Sequence, residues 1–217
     1  MKIYAFSGLG ADERVFDALN LDYDLEVLKW KPFLVNETMN SYAMKMIEGI
    51  DLSIPHSFLG ISFGGMLVAE LSKMNSNYII ISSVINQSEL PWWFRLKIPV
   101  YRFPTILFKI TRTWVFPLFG AQNKTLIKNI LRDTDPKFIK NALRLIINWK
   151  RTKKGKVYRI HGDNDLIIPK PIVEIETVNV PVSSAAKFAL KFTDSFALYI
   201  ELCSPPPIGV ALISLTS

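Results

Sequence analysis

Two patterns of apolar and polar residues alternate along the chain. Short, nearly continuous apolar runs are typical of buried strands, and they lie at residues 2–7, 23–30, 56–61, 78–82 and 156–161. Residues 38–50 instead place apolar side chains at the i, i+3, i+4 spacing of a helix with one buried face. Strands that alternate with helices at this spacing indicate βαβ units. We therefore expect an α/β fold with a doubly wound, mostly parallel sheet flanked by helices.

One serine lies where a predicted strand passes into a helix. Residues 60–65 read Gly-x-Ser-x-Gly-Gly, with an apolar run before them and a helical run after them. In such a turn the serine backbone is strained, its hydroxyl stands clear of the sheet, and the amino end of the next helix points at it. Ser62 is therefore the candidate nucleophile. The alternative is a tight strand-to-helix turn in which Gly60 and Gly64 serve packing alone.

A second glycine-containing turn is expected near this serine. Right-handed crossovers bring the carboxyl ends of parallel strands to one edge of the sheet, where ligands bind. Gly8-Leu9-Gly10 follows the first predicted strand, and Ser62 ends the strand at 56–61. We expect the two turns to meet at that edge.

The middle of the chain has a different character and is interpreted as a helical lid inserted over the sheet edge. Aromatic residues, prolines and basic residues are interleaved there, and helices are predicted at 105–113, 124–132 and 136–149. The aromatic residues are explained most simply as the core of that lid. The predicted organisation is an N-terminal core part, the lid, a return to the core, and an atypical C-terminal segment, at residues 1–85, 86–149, 150–171 and 172–217.

Charge is concentrated in the same region. The chain has a formal net charge of +7, and residues 92–160 hold 17 Lys and Arg against two acids. Basic residues interleaved with Trp and Phe suit contact with anionic lipid headgroups at a membrane surface, or with an anionic substrate. The alternative is a solvated helix face. No nucleic-acid-binding module is recognisable, so no nucleic-acid partner is expected.

The amino-acid composition indicates what kind of protein to expect. A chain of 217 residues that is 49% hydrophobic fits one domain with a substantial core. Its one cysteine, Cys203, allows no internal disulfide, which is compatible with a reducing cytoplasm. No secretory signal and no uninterrupted membrane span is visible. We expect a soluble cytoplasmic protein, and nothing in the sequence indicates a metal or an organic cofactor.

Three segments together resemble the α/β-hydrolase superfamily, in particular its small lidded members. Their order and spacing match the family, and the resemblance covers roughly residues 1–171. They are Phe6-Ser7-Gly8-Leu9-Gly10-Ala11-Asp12, Gly60-Ile61-Ser62-Phe63-Gly64-Gly65 and His161-Gly162-Asp163-Asn164-Asp165-Leu166-Ile167-Ile168-Pro169.

The resemblance implies hydrolase ancestry and a set of roles. Ser62 would be the nucleophile and Asp165 the triad acid, with Asp163 as the less favoured acid. The backbone N–H groups of Leu9 and Phe63 would form the oxyanion hole, which stabilises the negative charge that develops on a carbonyl oxygen during acyl transfer. The implied substrate is a small carboxylic ester, thioester or amide.

The chain departs from the family in its histidines. In the family the catalytic histidine follows the acid, but no histidine follows Asp165 here. His56 begins the strand that leads to Ser62, so it is expected about 20 Å away at the wrong end of the sheet. His161 is expected at the correct edge, about 9–10 Å to the side if its strand is the next but one in space. It is the candidate substitute base.

Three explanations of the missing histidine stay open at this point. The segment after Pro171 is altered relative to a working ancestor, or the protein is a hydrolase-like binding scaffold without turnover, or His161 serves in an unusual arrangement. A serine hydroxyl without a base is a poor nucleophile at neutral pH. The sequence does not choose among these explanations.

Overall fold

The computed structural model describes residues 2–9, 11–16, 23–72, 76–105, 129, 132–151, 155–162, 168 and 198–201. Within this part the strands form one sheet. They are β1 (Lys2–Phe6), β2 (Asp24–Val27), β3 (His56–Ile61), β4 (Asn77–Ile81), β5 (Tyr158–Gly162) and β6 (Leu198–Glu201). The spatial order is β2-β1-β3-β4-β5-β6, and the first five strands run parallel to their neighbours. This arrangement confirms the expected mostly parallel, doubly wound sheet.

Helices flank the sheet, as predicted. The α-helices with described bounds are α1 (Met39–Met46), α2 (Phe63–Leu71), α3 (Trp92–Arg95) and α4 (Pro136–Asn148). Short 3-10 helices lie at Glu13–Phe16, Gln87–Glu89 and Val100–Arg102. No helix in the described ranges has the length and apolar character needed to cross a bilayer.

Helix α1 shows how the local sequence sets the bounds of an element. Thr38 is its N-cap and forms a capping box with Ser41, in which each side chain accepts from the backbone N–H of the other residue. The helix ends at Met46, four residues before the predicted end at residue 50. Gly49 follows with φ +88°, a left-handed conformation that stops a helix and that glycine adopts readily. The buried face was predicted correctly, and the length was not.

Apolar side chains bury both faces of the sheet. On one face α1, α2 and α4 pack over strand residues that include Tyr4, Phe58 and Ile80. On the other face Val15 and Phe16, from the first 3-10 helix, pack with a second set of buried residues. Residues that alternate along a strand supply the two faces, as the period of two requires. The sheet is therefore the common core of both layers.

Two strands differ from expectation. The run predicted at 23–30 is a strand only over Asp24–Val27, an edge strand that pairs with β1 alone. β6 pairs antiparallel with β5. Its carboxyl end therefore points to the sheet edge opposite the one that carries the ends of β1 to β5. The segment expected to be atypical, 172–217, contains this exception.

The segment between β4 and β5 is the predicted lid region. Helix α4 confirms the helix expected at 136–149, whereas the helices expected at 105–113 and 124–132 lie almost entirely outside the described residues. The inner side of the described part packs on the core through the half-buried Phe94 and the buried Ala142 and Ile146. The lid and the bounds of the four predicted segments stay predictions.

Candidate active site

Ser62 is the single residue that connects the end of β3 to the start of α2. Its backbone has φ 51° and ψ −115°, a conformation that costs a non-glycine residue about 1–3 kcal/mol. The surrounding backbone fixes it: its N–H donates to the carbonyl of Ile81 at 2.9 Å, and its carbonyl accepts from the N–H of Met66 at 3.3 Å. The Ser83 hydroxyl donates to the same carbonyl at 2.6 Å. This is the strained strand-to-helix turn that the sequence predicts.

The glycines on either side of Ser62 are required by close approach of backbone. A Cβ on Gly60 would lie 2.5 Å from the carbonyl oxygen of Gly64, and a Cβ on Gly64 would collide with the carbonyl oxygens of Phe6 and Ser7. The N–H of Gly64 also donates to the carbonyl of Ser7 at 3.1 Å. These glycines bring the start of α2 directly against the end of β1.

The two expected oxyanion donors lie on the two chain segments that meet at Ser62. Phe63 is the first residue of α2, where backbone N–H groups have no acceptor within the helix. Leu9 lies in the turn after β1, which is closed by the N–H of Ala11 donating to the carbonyl of Gly8 at 3.0 Å. A Cβ on Gly8 would be 3.6 Å from the Cβ of Ser62. The structure therefore brings the two turns together, as the sequence predicts.

His56 lies at the start of β3, at the far edge of the sheet. Its Nδ1 is 2.8 Å from the carbonyl oxygen of Ile54, and its Nε2 is 3.3 Å from the hydroxyl of Ser76. Its ring packs edge-on against Phe58, with ring centroids 5.2 Å apart. Since the strand separates it from Ser62 by about 20 Å, it cannot serve as the base in this chain.

His161 has the backbone position that the sequence implies. Ile61 pairs with Ile81, and Ile81 pairs with Ile160, so the residue after Ile160 is level with Ser62 across the sheet. β5 is the next strand but one from β3. At 4.7–4.9 Å per strand the lateral offset is about 9–10 Å. Asp163 and Asp165 lie outside the described residues, so their roles stay predictions.

A buried ion pair behind the turn was missed by sequence reasoning. Arg159 on β5 donates to the Glu89 carboxylate at 2.8 Å and 3.3 Å, and their side chains are only 5% and 8% exposed. Arg159 also donates to the carbonyl of Ser83 at 3.3 Å, and Ser83 in turn donates to Ser62. This chain of contacts connects β5 to the nucleophile turn. A charged residue inside the predicted strand 156–161 was the available clue.

A second buried contact joins α2 to α4. Glu70 on α2 accepts a 2.6 Å hydrogen bond from the indole N–H of Trp149, the residue that follows α4, and a 3.3 Å bond from the amide of Asn40. Glu70 and Trp149 are both almost completely buried. Glu70 is therefore held by structural partners on two other segments, away from the turn at Ser62.

An open cleft of about 530 Å³ lies beside the site. It is lined by the turn after β1, the segment after β2 and the start of α4, with Trp30, Phe33 and Phe138 as its aromatic side chains. Ser62 is not among the lining residues. Trp30 packs on Phe63, with ring centroids 5.6 Å apart, so the cleft adjoins the residue that follows the candidate nucleophile.

Arg14 organises the charged rim of this cleft. It pairs with Asp12 at 2.6 Å and with Asp133 at 3.0 Å, which connects the turn after β1 to the region before α4. Hydrogen bonds from the guanidinium lower the pKa of both carboxyl groups. Both aspartates are therefore ionised at neutral pH. Among the described residues, no group of three or more His, Cys, Asp or Glu is arranged to hold a metal ion.

Solved structures with the same architecture include two esterases and an epoxide hydrolase. An esterase from Exiguobacterium antarcticum is 11% identical with a TM-score of 0.54, and the match covers 78% of this chain and 76% of that chain. A thermophilic esterase from Thermogutta terrifontis is 14% identical with a TM-score of 0.54, covering 78% and 74%. The Cif epoxide hydrolase from Acinetobacter nosocomialis is 14% identical with a TM-score of 0.53, covering 77% and 68%. No protein-family model and no curated protein matches the sequence.

The strand order, the strained serine turn and these likenesses define one class of fold. The chain has the α/β-hydrolase fold, which confirms the resemblance and the fold class stated from the sequence. At 11–14% identity the likeness shows the fold alone. The chemistry of the site has to be inferred from the residues of this chain.

Proposed function

We propose that the protein is a serine hydrolase that cleaves a small carboxylic ester, thioester or amide. The observation that supports this proposal is the strained backbone of Ser62 at the amino end of α2. Hydrogen bonds with Ile81, Met66 and Ser83 hold that backbone in place. Strain of this kind persists where surrounding structure over-determines it, and it is typical of functional turns. The α/β-hydrolase fold supports the same proposal at the level of reaction class.

In the proposed reaction Ser62 Oγ attacks the acyl carbon and forms a new C–O bond. The carbonyl oxygen becomes an oxyanion that accepts hydrogen bonds from the N–H groups of Phe63 and Leu9. The bond to the alcohol, thiol or amine then breaks, and water releases the acyl group from Ser62 as a carboxylic acid. The proton of Ser62 Oγ goes to a base, for which His161 is the candidate, and the base then gives it to the departing alcohol, thiol or amine. Asp165 would orient that base.

The aromatic cleft supports a substrate with an apolar acyl or aryl part. The Phe138 ring contacts the other two, with centroids 5.0 Å from Trp30 and 5.2 Å from Phe33. Such rings bind flat apolar groups by offset or edge contacts. The cleft adjoins Phe63, so a substrate held there would present its carbonyl group toward the turn that carries Ser62.

A second candidate function is a binding protein that uses the same site without turnover. The position of the two histidines favours it, since His56 is at the far edge and the backbone of His161 is two strands from Ser62. A site that lacks one triad member keeps about 10³–10⁴-fold catalysis over water, from the oxyanion hole and binding. Such a rate is too low for a physiological esterase.

The test is steady-state hydrolysis of p-nitrophenyl acetate by the purified chain and three variants. For the proposed hydrolase we expect multiple turnovers that Ser62→Ala abolishes, and an equal loss in His161→Ala if that residue is the base. His56→Ala is the matched control and should retain the wild-type rate, because His56 is at the opposite edge. If the wild type and all three variants hydrolyse the ester no faster than the uncatalysed background, the proposal that the protein is a hydrolase is refuted.

Covalent labelling separates the two candidate functions. A fluorophosphonate reacts with an activated serine without needing deacylation. Labelling of the wild type but not of Ser62→Ala, without ester turnover, would establish an activated serine whose acyl group is not released by water. If the protein is neither labelled nor active but still binds an aryl ester, the second candidate function, a binding protein without turnover, would be supported.

A further inference from the structure

Exposed apolar side chains are concentrated at the start of the segment between β4 and β5. Trp92, Leu96, Ile98 and Phe103 are 62%, 57%, 48% and 49% exposed, although they lie within twelve residues. Trp92 and Leu96 are four residues apart, and the N–H of Leu96 donates to the carbonyl of Trp92 at 3.2 Å, so they share one face of a helical turn. A concentration of this kind marks an interaction surface.

The inner side of the same segment is fixed to the core. Leu90 and Pro91 are buried, and Phe94 packs against the main core cluster. Helix α3 and the 3-10 helix Val100–Arg102 both contact α4. The exposed side chains therefore belong to a well-anchored segment, whose outer surface presents them to the solvent.

The charged residues in the stretch of sequence that carries these side chains have one sign. Lys97 and Arg102 are exposed between the apolar residues. From residue 90 to residue 132 the sequence contains eight Lys and Arg and no Asp or Glu. Apolar side chains among cations are typical of surfaces that lie in the headgroup region of an anionic bilayer, where the apolar groups enter the acyl boundary and the cations meet phosphate or carboxylate groups.

We propose that this surface, defined by Trp92, Leu96, Ile98, Phe103, Lys97 and Arg102 and called here the basic apolar patch, docks on an anionic lipid surface. Leu96 and Ile98 are aliphatic and cannot stack on bases, so they favour lipid over a nucleic acid. A second copy of the chain is disfavoured, because each copy would present the same cations to the other. The docking is separate from the proposed chemistry at Ser62 and does not depend on it.

The test is co-sedimentation of the full chain with vesicles of equimolar phosphatidylcholine and phosphatidylserine, compared with vesicles of phosphatidylcholine alone. We expect binding to the anionic vesicles only, and a steep loss of binding as salt is raised. Lys97→Gln with Arg102→Gln should weaken the vesicle partition by roughly 25-fold, since each cation near such a surface contributes about five-fold. Leu96→Ser with Phe103→Ser should weaken it by at least about tenfold.

The control uses exposed apolar residues outside the patch. Val35 and Leu52 are 88% and 41% exposed, and Val35→Ser with Leu52→Ser should bind vesicles as the wild type does. Circular dichroism verifies that each variant is folded. The proposal is overturned if anionic vesicles are not bound, if neutral vesicles bind equally, or if the patch variants bind as the control does. Binding to single-stranded RNA without binding to vesicles would also overturn it and identify a nucleic-acid surface instead.

Discussion

Glu89→Ala should lower the free energy of unfolding by about 3–5 kcal/mol. The Glu89 carboxylate accepts from Arg159 at 2.8 Å and 3.3 Å and from the N–H of Ile85 at 3.0 Å. Truncation would leave the buried guanidinium with the carbonyl of Ser83, at 3.3 Å, as its remaining acceptor among the described residues. The Nε of Arg159 already has no partner there. The large cost follows because a buried charge is left uncompensated.

Urea denaturation followed by circular dichroism measures this loss. Glu26→Ala is the matched control, because Glu26 pairs with Lys2 at 2.6 Å on the surface, with side chains 47% and 30% exposed, and should cost less than about 1 kcal/mol. Replacing both buried partners by Met should recover most of the stability, since apolar groups of similar volume need no compensation. A loss for Glu89→Ala no larger than that of Glu26→Ala would refute the reasoning.

Two further predictions concern the edge of the sheet that carries Ser62. Gly64→Ala should destabilise the fold by about 1–3 kcal/mol or more, because its Cβ would meet backbone oxygens. Gly8→Ala is the control and should be tolerated, since its Cβ finds contacts no shorter than 3.6 Å. Thermal melts in which Gly8→Ala is the less stable variant would contradict this prediction. Arg14→Gln should raise the pKa of Asp12 and Asp133, which carboxyl NMR titration measures. Because both pKa values are lowered in the folded chain, the two ion pairs stabilise it above the ordinary pKa of about 3.9 and lose that contribution as the pH falls through the lowered values. Acid stability curves of the wild type and Arg14→Gln should therefore converge at low pH, and curves that stay parallel would contradict the assignment.

The elements around the site could be predicted because their determinants are local. The apolar run ending at Ile61, the glycines around Ser62 and the helical run after it lie within about fifteen residues of one another. The strand-turn-helix and its strained residue follow from that short stretch. The separation of β3 and β5 by one intervening strand was stated from the sequence only as a condition, and the observed strand order meets it.

The buried polar contacts could not be predicted, because each joins residues far apart in the chain. Arg159 and Glu89 are 70 residues apart, and Trp149 and Glu70 are 79 residues apart. No periodicity connects such partners. The early end of α1 had a local determinant in Gly49, but its positive φ becomes evident only from the backbone. The antiparallel direction of β6 depends on tertiary pairing alone.

The long connection between β4 and β5 adds little to the entropic cost of bringing these two strands together. Ile81 pairs with Ile160 about 80 residues later, whereas Ile61 pairs with Ile81 only about 20 residues later. Since the closure entropy of a flexible loop grows with the logarithm of its length, the fourfold longer connection costs only about 1.2 kcal/mol more. Inserts of very different length can therefore connect these two strands at a nearly constant cost of loop closure. Evolution can exchange the surface that the protein presents there while the serine turn stays unchanged.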